Sequence, residues 1–377
     1  MKKTRVTVLF GGRSSEHEVS ILSARAIANN LDEDQFEVLP VAISKTGQLL
    51  NPEKSQTYLE SGHARIAQLQ EKTIPTPIDE KSEVKDKFLK LQEETALAPN
   101  FLKDTDVFFP VLHGPYGEDG RLQGWLDMMN VPYVGCGVLG SACGMDKIIA
   151  KQLFLVHGLL SPGFCYAFKY EWQEDEEKVL QKICKNLPFP IFIKPANLGS
   201  SIGVSKCNNP DELKNAITDA FNYDRKVIAE EGINARELEI SVLGNAKLRT
   251  SVIGEIVPER EFYDYHSKYK GGKSDLIIPA KLKPQIRDEV SKMAKTAFRA
   301  CDCSGLARVD FLYDEENEKV YLNELNTMPG FTSISMYPKL WEASGLPYKE
   351  LLTELVTLAK ERFFEQQDLS SNYADSI

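Results

Sequence analysis

The sequence has no excess of positive charge. Its 45 Lys and Arg face 55 Asp and Glu, a formal net charge of −10, which counts against a nucleic-acid backbone or an anionic membrane as the main partner. An anionic ligand therefore needs a local cluster of Lys and Arg. Seven cysteines, at 136, 143, 165, 184, 207, 301 and 303, include no Cys-x-x-Cys and no zinc spacing. An odd count in a chain of this size points to reduced thiols in a cytosolic protein, with Cys301 and Cys303 read as small buried hydrophobes. The apolar stretch Val6 to Phe10 near the N-terminus is too short for a signal peptide, and no run reaches membrane-spanning length. No Gly-x-Gly-x-x-Gly follows the first strand, which counts against a nicotinamide oxidoreductase, and no internal repeat is present. The expectation is a cytoplasmic protein that binds neither nucleic acid nor membrane.

What is present suits large packed cores: 377 residues, 42% hydrophobic and 27% charged, enough for two or three units. A strand at Val6–Phe10, the turn at Gly11 and Gly12, and a helical pattern from Val19 to Leu31 open a doubly wound α/β unit. A strand at Phe36–Ile43 follows, and the polar stretch 51–100 reads as an exposed decoration. Asp106–Leu112 reads as a strand, Arg121–Met129 as a helix and Pro132–Val138 as a short strand and turn. Ile148, Ile149, Leu153 and Val156 recur at helical spacing. Further strands are expected at Phe189–Lys194 and Val227–Glu231, a meander from Glu237 to Ile256, and helices from Pro210, over Pro284–Ala300 and over Tyr348–Phe364. Residues 258–279 read as a long loop.

The densest chemistry lies in a charged hairpin, Leu306–Tyr313 and Val320–Gly330. Side chains two apart in a strand share a face, so Arg308 pairs with Asp310 and Glu324 with Asn326. If the register brings the pairs together, one surface gains two carboxylates, an amide oxygen and a guanidinium, a hard-oxygen set suited to Mg2+ and nucleotide phosphates. A solvated edge hairpin would show the same alternation. The second signal is Lys194 at a strand end before Gly199-Ser200-Ser201-Ile202-Gly203, a flap of free N–H groups and hydroxyls of the kind that cradles polyphosphate. Glu16, at the mouth of the Gly11-Gly12 turn, reads equally as a receiver of a substrate ammonium or as a helix-dipole charge. His113, in the segment Leu112 to Gly120, has the same ambiguity.

Together these pieces resemble the D-alanine–D-alanine ligases of the ATP-grasp superfamily. The resemblance is carried by Gly11–Ser20, Leu112–Gly120, Met145–Lys147, Lys194–Gly203, Glu230–Ile233, Tyr263–Tyr269, Arg308–Asp310 and Glu324–Gly330. It runs collinearly from about residue 5 to residue 360 and misses the 51–100 stretch and the tail. It implies an N-terminal Rossmann-like unit, 1–135, and a two-part ATP-grasp fold with antiparallel sheets, 136–229 and 230–366, before a tail at 367–377. The implied reaction is ATP-dependent joining of two D-alanines through an acyl phosphate, for peptidoglycan precursors.

The resemblance also implies roles. ATP contacts would come from Lys147, Lys194, Ser200, Ser201, Glu230, Glu231, Ile233, Glu237, Lys268 and Asn323. Mg2+ or Mn2+, normally two ions, would be held by Asp310, Glu324 and Asn326. Arg308 and the Gly330 amide would steady the tetrahedral centre. Glu16 would receive the first ammonium, with Ser200 and Tyr269 linking it to a mobile lid. Ser335 and Met336 would hold the second carboxylate, and His113 would line the substrate site. A homodimer is implied as well. The Lys268-Tyr269 pair is typical of dipeptide-forming members, whereas His266 is an unusual occupant that keeps a D-lactate or D-serine acceptor in view. Other ATP-grasp ligases lack the Glu16 and Tyr269 pieces.

Overall fold

In the computed structural model, described for residues 2–61, 99–257 and 275–369, three sheets line up along the chain. The first is parallel, built from β1 (Thr4–Gly11), β2 (Phe36–Ile43) and β3 (Val107–Pro110) in the order β2-β1-β3. Six consecutive buried residues end β1, the continuous apolar run that a strand covered on both faces requires. Because β2 and β3 flank β1 on opposite sides, the chain switches direction at the C-terminal end of β1, where open α/β sheets form their binding crevice. Glycines are obligatory there. Gly11 and Gly12 have φ of 88° and 91°, and a Cβ on Gly11 would lie 2.4 Å from the Ile43 carbonyl oxygen.

The second sheet is antiparallel, with order β4-β7-β5-β6, from β4 (Phe164–Phe168), β5 (Ile191–Pro195), β6 (Ser205–Cys207) and β7 (Lys226–Glu231). The third, also antiparallel, runs β10-β9-β8-β11-β12. Its strands are β8 (Arg236–Gly244), β9 (Arg249–Val257), β10 (Asp275–Ile277), β11 (Gly305–Asp314) and β12 (Lys319–Asn326). The helix Pro284–Ala300 lays Ile286, Val290, Met293, Ala294, Ala297 and Phe298 into its core, a stripe at helical spacing.

Several expectations are revised. Pro52–Ser61 is a helix whose Tyr58 and Leu59 join the core of the first sheet rather than decorating it; residues 62–98 lie outside the described residues. Pro132–Val138 contributes an isolated bridge, Phe108 to Tyr133, and no full strand. Helix Lys147–Val156 buries Ile148, Ala150, Lys151 and Phe154 while Ile149 and Val156 are exposed, so the apolar spacing misjudged its inner face. The expected loop ends in β10; the segment 258–274, with Lys268, Tyr269 and His266, is outside the described residues, as is the tail from 370. Helices Val138–Met145 and Met336–Ala343 were hidden by Gly140, Gly144 and Pro338. Gly140 and Gly144 pack too closely for a side chain: a Cβ would approach Asp302 O to 2.6 Å and Thr327 Cγ2 to 2.7 Å. Cys301 is buried in the third sheet's core with Cys303 against it, as expected of small hydrophobes.

The last helix, Tyr348–Gln367, ties the ends of the chain together. Leu351, Leu352, Leu355 and Val356 pack in one cluster with Val6, Val8 and Phe109 of the first sheet and Phe331 of the loop after β12. Phe109 and Phe331 meet edge to face at 5.7 Å, a contact of about 1 kcal/mol beyond area burial. The loop after β12 is thereby pinned to the crevice of the first sheet.

Candidate active site

Glu16 stands just before helix His17–Asn30, yet its side chain makes no capping bond. Buried, it accepts a hydrogen bond from Ser200 Oγ. Ser200 and Ser201 adopt left-handed φ of 52° and 56°, strained for residues with a Cβ. A Cβ on Gly199 would sit 2.8 Å from Glu16 Oε2. The flap between β5 and β6 is thus seated on the carboxylate of the first sheet's crevice. Lys147 Nζ donates to Leu198 O at 2.6 Å and lies 3.8 Å from Glu324 Oε2.

Behind the flap three charges share a buried spot. Glu230 on β7 receives Lys194 Nζ at 2.6 Å on Oε2 and Lys151 Nζ at 3.1 Å on Oε1. Lys151 also donates to Asn323 O at 3.1 Å and Ser161 Oγ at 3.3 Å. Burial opposes the Glu230 charge, but Lys151 and Lys194 outweigh it and bring the carboxyl down to about 2. At Lys151 burial wins and lowers the pKa; at Lys194 burial is overcome by Glu230. Sequence reading missed Lys151, although it follows Lys147 by four positions and so shares its helix face. Glu231 is turned aside, its carboxylate accepting from Gly163 N at 2.7 Å. Ile233 is half-buried just beyond β7, and Glu237 lies close enough to help hold the Lys194 proton.

The hairpin register is the one its chemistry needs. Arg308 faces Asn326, and Asp310 faces Glu324 on one side and Glu239 of β8 on the other. A bulge follows, since Asp310 pairs with Glu324 but Phe311 with Leu322, leaving Asn323 as the extra residue. Leu322 and Leu325 therefore both stay in the core while Glu324 and Asn326 keep the open face, a re-aiming that strict alternation cannot produce. Arg308 forks onto Asp310, Nε to Oδ1 and Nη2 to Oδ2, both at 2.8 Å, with Glu239 Oε2 3.0 Å from Nε. Glu239 went unnoticed in the sequence because nothing local marks a β8 carboxylate as the partner of an arginine on β11.

These donors fit a hard cation. Asn326 gives its amide N–H to Asp310 Oδ2 at 3.0 Å, which leaves the amide oxygen turned elsewhere as a ligand. Two carboxylates and an amide oxygen without nitrogen or sulfur suit Mg2+ or Mn2+. Among the described residues no set of three or more His, Cys, Asp or Glu is arranged for a metal, so the amide and the nucleotide's own oxygens would have to complete any coordination.

The loop after β12 closes the site. A Cβ on Gly330 would fall 2.6 Å from Ser335 Oγ, so glycine is required for that approach. Ser335 Oγ also accepts from Thr332 N at 3.0 Å at the start of helix Met336–Ala343, where first-turn N–H groups lack intrahelical partners. The Met336 side chain is buried against Ile256 and Leu340, so its backbone is the part open to a ligand. His113 is buried, with Nδ1 3.0 Å from Met328 O and Nε2 3.1 Å from Ser23 Oγ; burial lowers its pKa, favouring the neutral ring.

Glu118, also missed, is pushed up to about 8 by burial and then by the charge of Glu16. A carboxyl raised above the usual 4.5 stabilises the fold below that value and loses the contribution as pH rises to about 8. Urea unfolding at pH 5, 6, 7 and 8 is therefore expected to show wild-type stability falling relative to Glu118→Gln, by up to about 1.4 kcal/mol per pH unit. Parallel pH profiles for the two proteins would refute the assignment.

A parallel crevice unit followed by two antiparallel sheets, with lysines converging on a carboxylate hairpin, is the ATP-grasp plan of a ligase. Protein-family models described as D-ala D-ala ligase N-terminus and D-ala D-ala ligase C-terminus match residues 5–136 and 153–357. The chain belongs to the D-alanine–D-alanine ligase family. It is 48% identical over 377 residues to a D-alanine–D-alanine ligase of Natranaerobius thermophilus, covering 100% of both chains. A Geobacillus thermodenitrificans ligase of the same name is 47% identical, covering 98% of this chain and 99% of the relative. Among solved structures, the Coxiella burnetii D-alanine-D-alanine ligase superposes with a TM-score of 0.81 at 33% identity, covering 100% and 99% of the two chains. The VanG D-Ala:D-Ser ligase of Enterococcus faecalis gives 0.78 at 32% identity, covering 95% and 100%.

Proposed function

We propose that the protein joins two molecules of D-alanine into D-alanyl-D-alanine, converting ATP to ADP and phosphate, to supply peptidoglycan precursors. The observation that carries the reading is the seating of the Ser200 flap on Glu16, beside Lys147 and the Arg308–Asp310–Glu324 face. A carboxylate is a poor acyl donor, so the first D-alanine's carboxylate oxygen attacks the γ-phosphorus of ATP. The bond to the ADP oxygen breaks and an acyl phosphate forms. The second D-alanine's free amine attacks the acyl carbon, the peptide bond forms, phosphate departs and the nitrogen loses a proton.

Phosphoryl transfer needs alignment and charge neutralisation more than covalent help. Lys147 and Lys194 take the phosphates under the Ser200–Ser201 flap. Glu230, Glu231, Ile233, Glu237 and Asn323 line the rest of the nucleotide site. Mg2+ or Mn2+, as one or two ions on Asp310, Glu324 and Asn326, would neutralise phosphate oxygens. Glu16 receives the first ammonium. Arg308 and the Gly330 N–H face the developing oxyanion, and Ser335 with the Met336 backbone takes the acceptor carboxylate. Acyl phosphates hydrolyse, so the 258–279 segment, with Lys268 and Tyr269, acts as a lid against water. Cytoplasmic location and a homodimer belong to the same proposal.

The test is ADP release with ATP and D-alanine, with the product identified by mass. Dependence on D-alanine and a product of two residues are expected; ATP turnover indifferent to D-alanine would reject the reading. The likeness to a D-Ala:D-Ser ligase makes D-serine the second acceptor to assay, and a dominant mixed product would shift the assignment.

A further inference from the structure

Both backbone groups of Met328 are held by one loop that is about two hundred positions away in sequence. The Met328 N–H donates to Glu118 Oε1 at 3.1 Å, and its carbonyl lies 3.0 Å from His113 Nδ1. Met328 sits two residues after Asn326 and two before Gly330, midway between the face read as the cation site and the amide read as the oxyanion donor. Three residues further on, the Phe331 N–H donates to Ser23 Oγ at 3.3 Å, and that hydroxyl also contacts His113 Nε2 at 3.1 Å. Groups of the N-terminal unit thus bracket Gly330 from both sides.

The holding loop is itself rigid. Glu118 Oε2 accepts from Gly114 N at 2.6 Å, and the N–H groups of Gly117 and Glu118 return to Gly114 O at 3.1 and 3.0 Å. A Cβ on Gly117 would lie 2.5 Å from Leu112 O, so the turn is pressed onto the segment that follows β3. Two N–H donors from different parts of the chain converge on one carboxyl, and its two oxygens accept one each. A glutamine can satisfy only one of them, because its NH2 would meet the other N–H head on. An aspartate is a methylene too short. Each oxygen keeps a lone pair for its N–H whether or not the group carries a proton, so the clamp does not depend on ionisation.

We propose that Glu118 is a positioning residue for the loop that carries Gly330: it clamps Met328 to the first sheet's crevice and so sets the Gly330 amide relative to the bound substrates. The inference rests on the function proposed above, but it has a readout that does not. Hydrogen–deuterium exchange on the ligand-free protein follows the 327–331 amides directly, while ADP release and nucleotide affinity report the consequence. In Glu118→Gln, exchange over this segment is expected to rise roughly tenfold or more, with kcat for D-alanine-dependent ADP release falling roughly ten- to a hundredfold. The Kd for ATP should change by less than about threefold, since the nucleotide lysines are not on this loop. Ser23→Ala, a milder change at the Phe331 end, should raise exchange at that amide and lower kcat by roughly threefold to tenfold.

Unchanged exchange with a raised KM would overturn the clamp and make Glu118 a direct substrate contact. Faster exchange with unaltered kcat would also overturn it, because the loop's position would then not matter to the reaction. If Glu118→Gln fails to fold, Ser23→Ala decides by the same two readouts. Absence of D-alanine-dependent turnover in the wild-type protein would reject the proposed function while leaving the exchange result to stand or fall separately.

Discussion

Glu324→Ala is expected to lower D-alanine-dependent ADP release by about two to three orders of magnitude while leaving the fold nearly as stable as wild type. Glu324 occupies the open face of β12, with its side chain 31% exposed and Lys147 at 3.8 Å, so truncation opens no cavity and buries no new charge. What it removes, on the proposed function, is one of the carboxylates that would hold the cation against the phosphates. Loss of a preorganised charge in a partly dried site costs about 3–4 kcal/mol of transition-state stabilisation, and each 1.4 kcal/mol is roughly tenfold in rate. Two measurements check this: steady-state ADP release with the Mg2+ concentration varied, and a urea melt. The metal assignment predicts that the activating Mg2+ concentration shifts upward in the variant. Turnover within about tenfold of wild type at saturating Mg2+ would remove Glu324 from the reaction.

Lys151→Met should do the reverse, striking stability first. Lys151 is 1% exposed and Glu230 3% exposed, so both charges sit away from water. Removing one ammonium leaves a buried carboxylate with Lys194 alone, and breaking such a pair costs about 3–5 kcal/mol. The lower end is expected here because Lys194 still holds the other oxygen at 2.6 Å. Glu230 should then keep Lys194 more tightly from an incoming phosphate, weakening ATP binding by roughly tenfold. Urea unfolding and calorimetric ATP titration measure the two effects. The double variant Lys151→Met with Glu230→Gln should recover part of the stability, because the stranded charge is gone. A single variant as stable as wild type would mean that Lys151 is neutral in the native protein.

The two substitutions also separate what was legible in the sequence from what was not. Glu324 belongs to a hairpin whose residues lie within one short stretch, so alternation alone could propose a shared face for Arg308, Asp310, Glu324 and Asn326. Lys194 and the Ser200 flap were visible for the same reason, as a local motif at the end of a strand, whereas Lys147 entered only through the family resemblance. Lys151 and Glu239 were not, because their partners are distant in sequence: Glu230 meets Lys151 from a strand packed on its helix, and Arg308 meets Glu239 from the neighbouring strand. The bulge at Asn323 was equally hidden. It shows as a pairing shift between β11 and β12, and a pattern read along one strand cannot contain the register of its neighbour. Helix Val138–Met145 escaped because glycine is a poor helix former, and its reason to be there is close packing against Asp302 and Thr327.

The parallel start of the fold, most of its strands and the chemical types gathered in the candidate site were legible in the sequence alone, since each rests on short-range periodicity, turn chemistry or side-chain type. Tertiary structure decided which of those groups share a cleft. It removed the helix-end alternative for Glu16 by seating the Ser200 flap on it, tied Glu230 to two lysines, and fastened Met328 to Glu118. The physical reason is the same in each case. A buried polar group must find its partner wherever the packed chain supplies one, and for these residues the partner comes from another part of the chain.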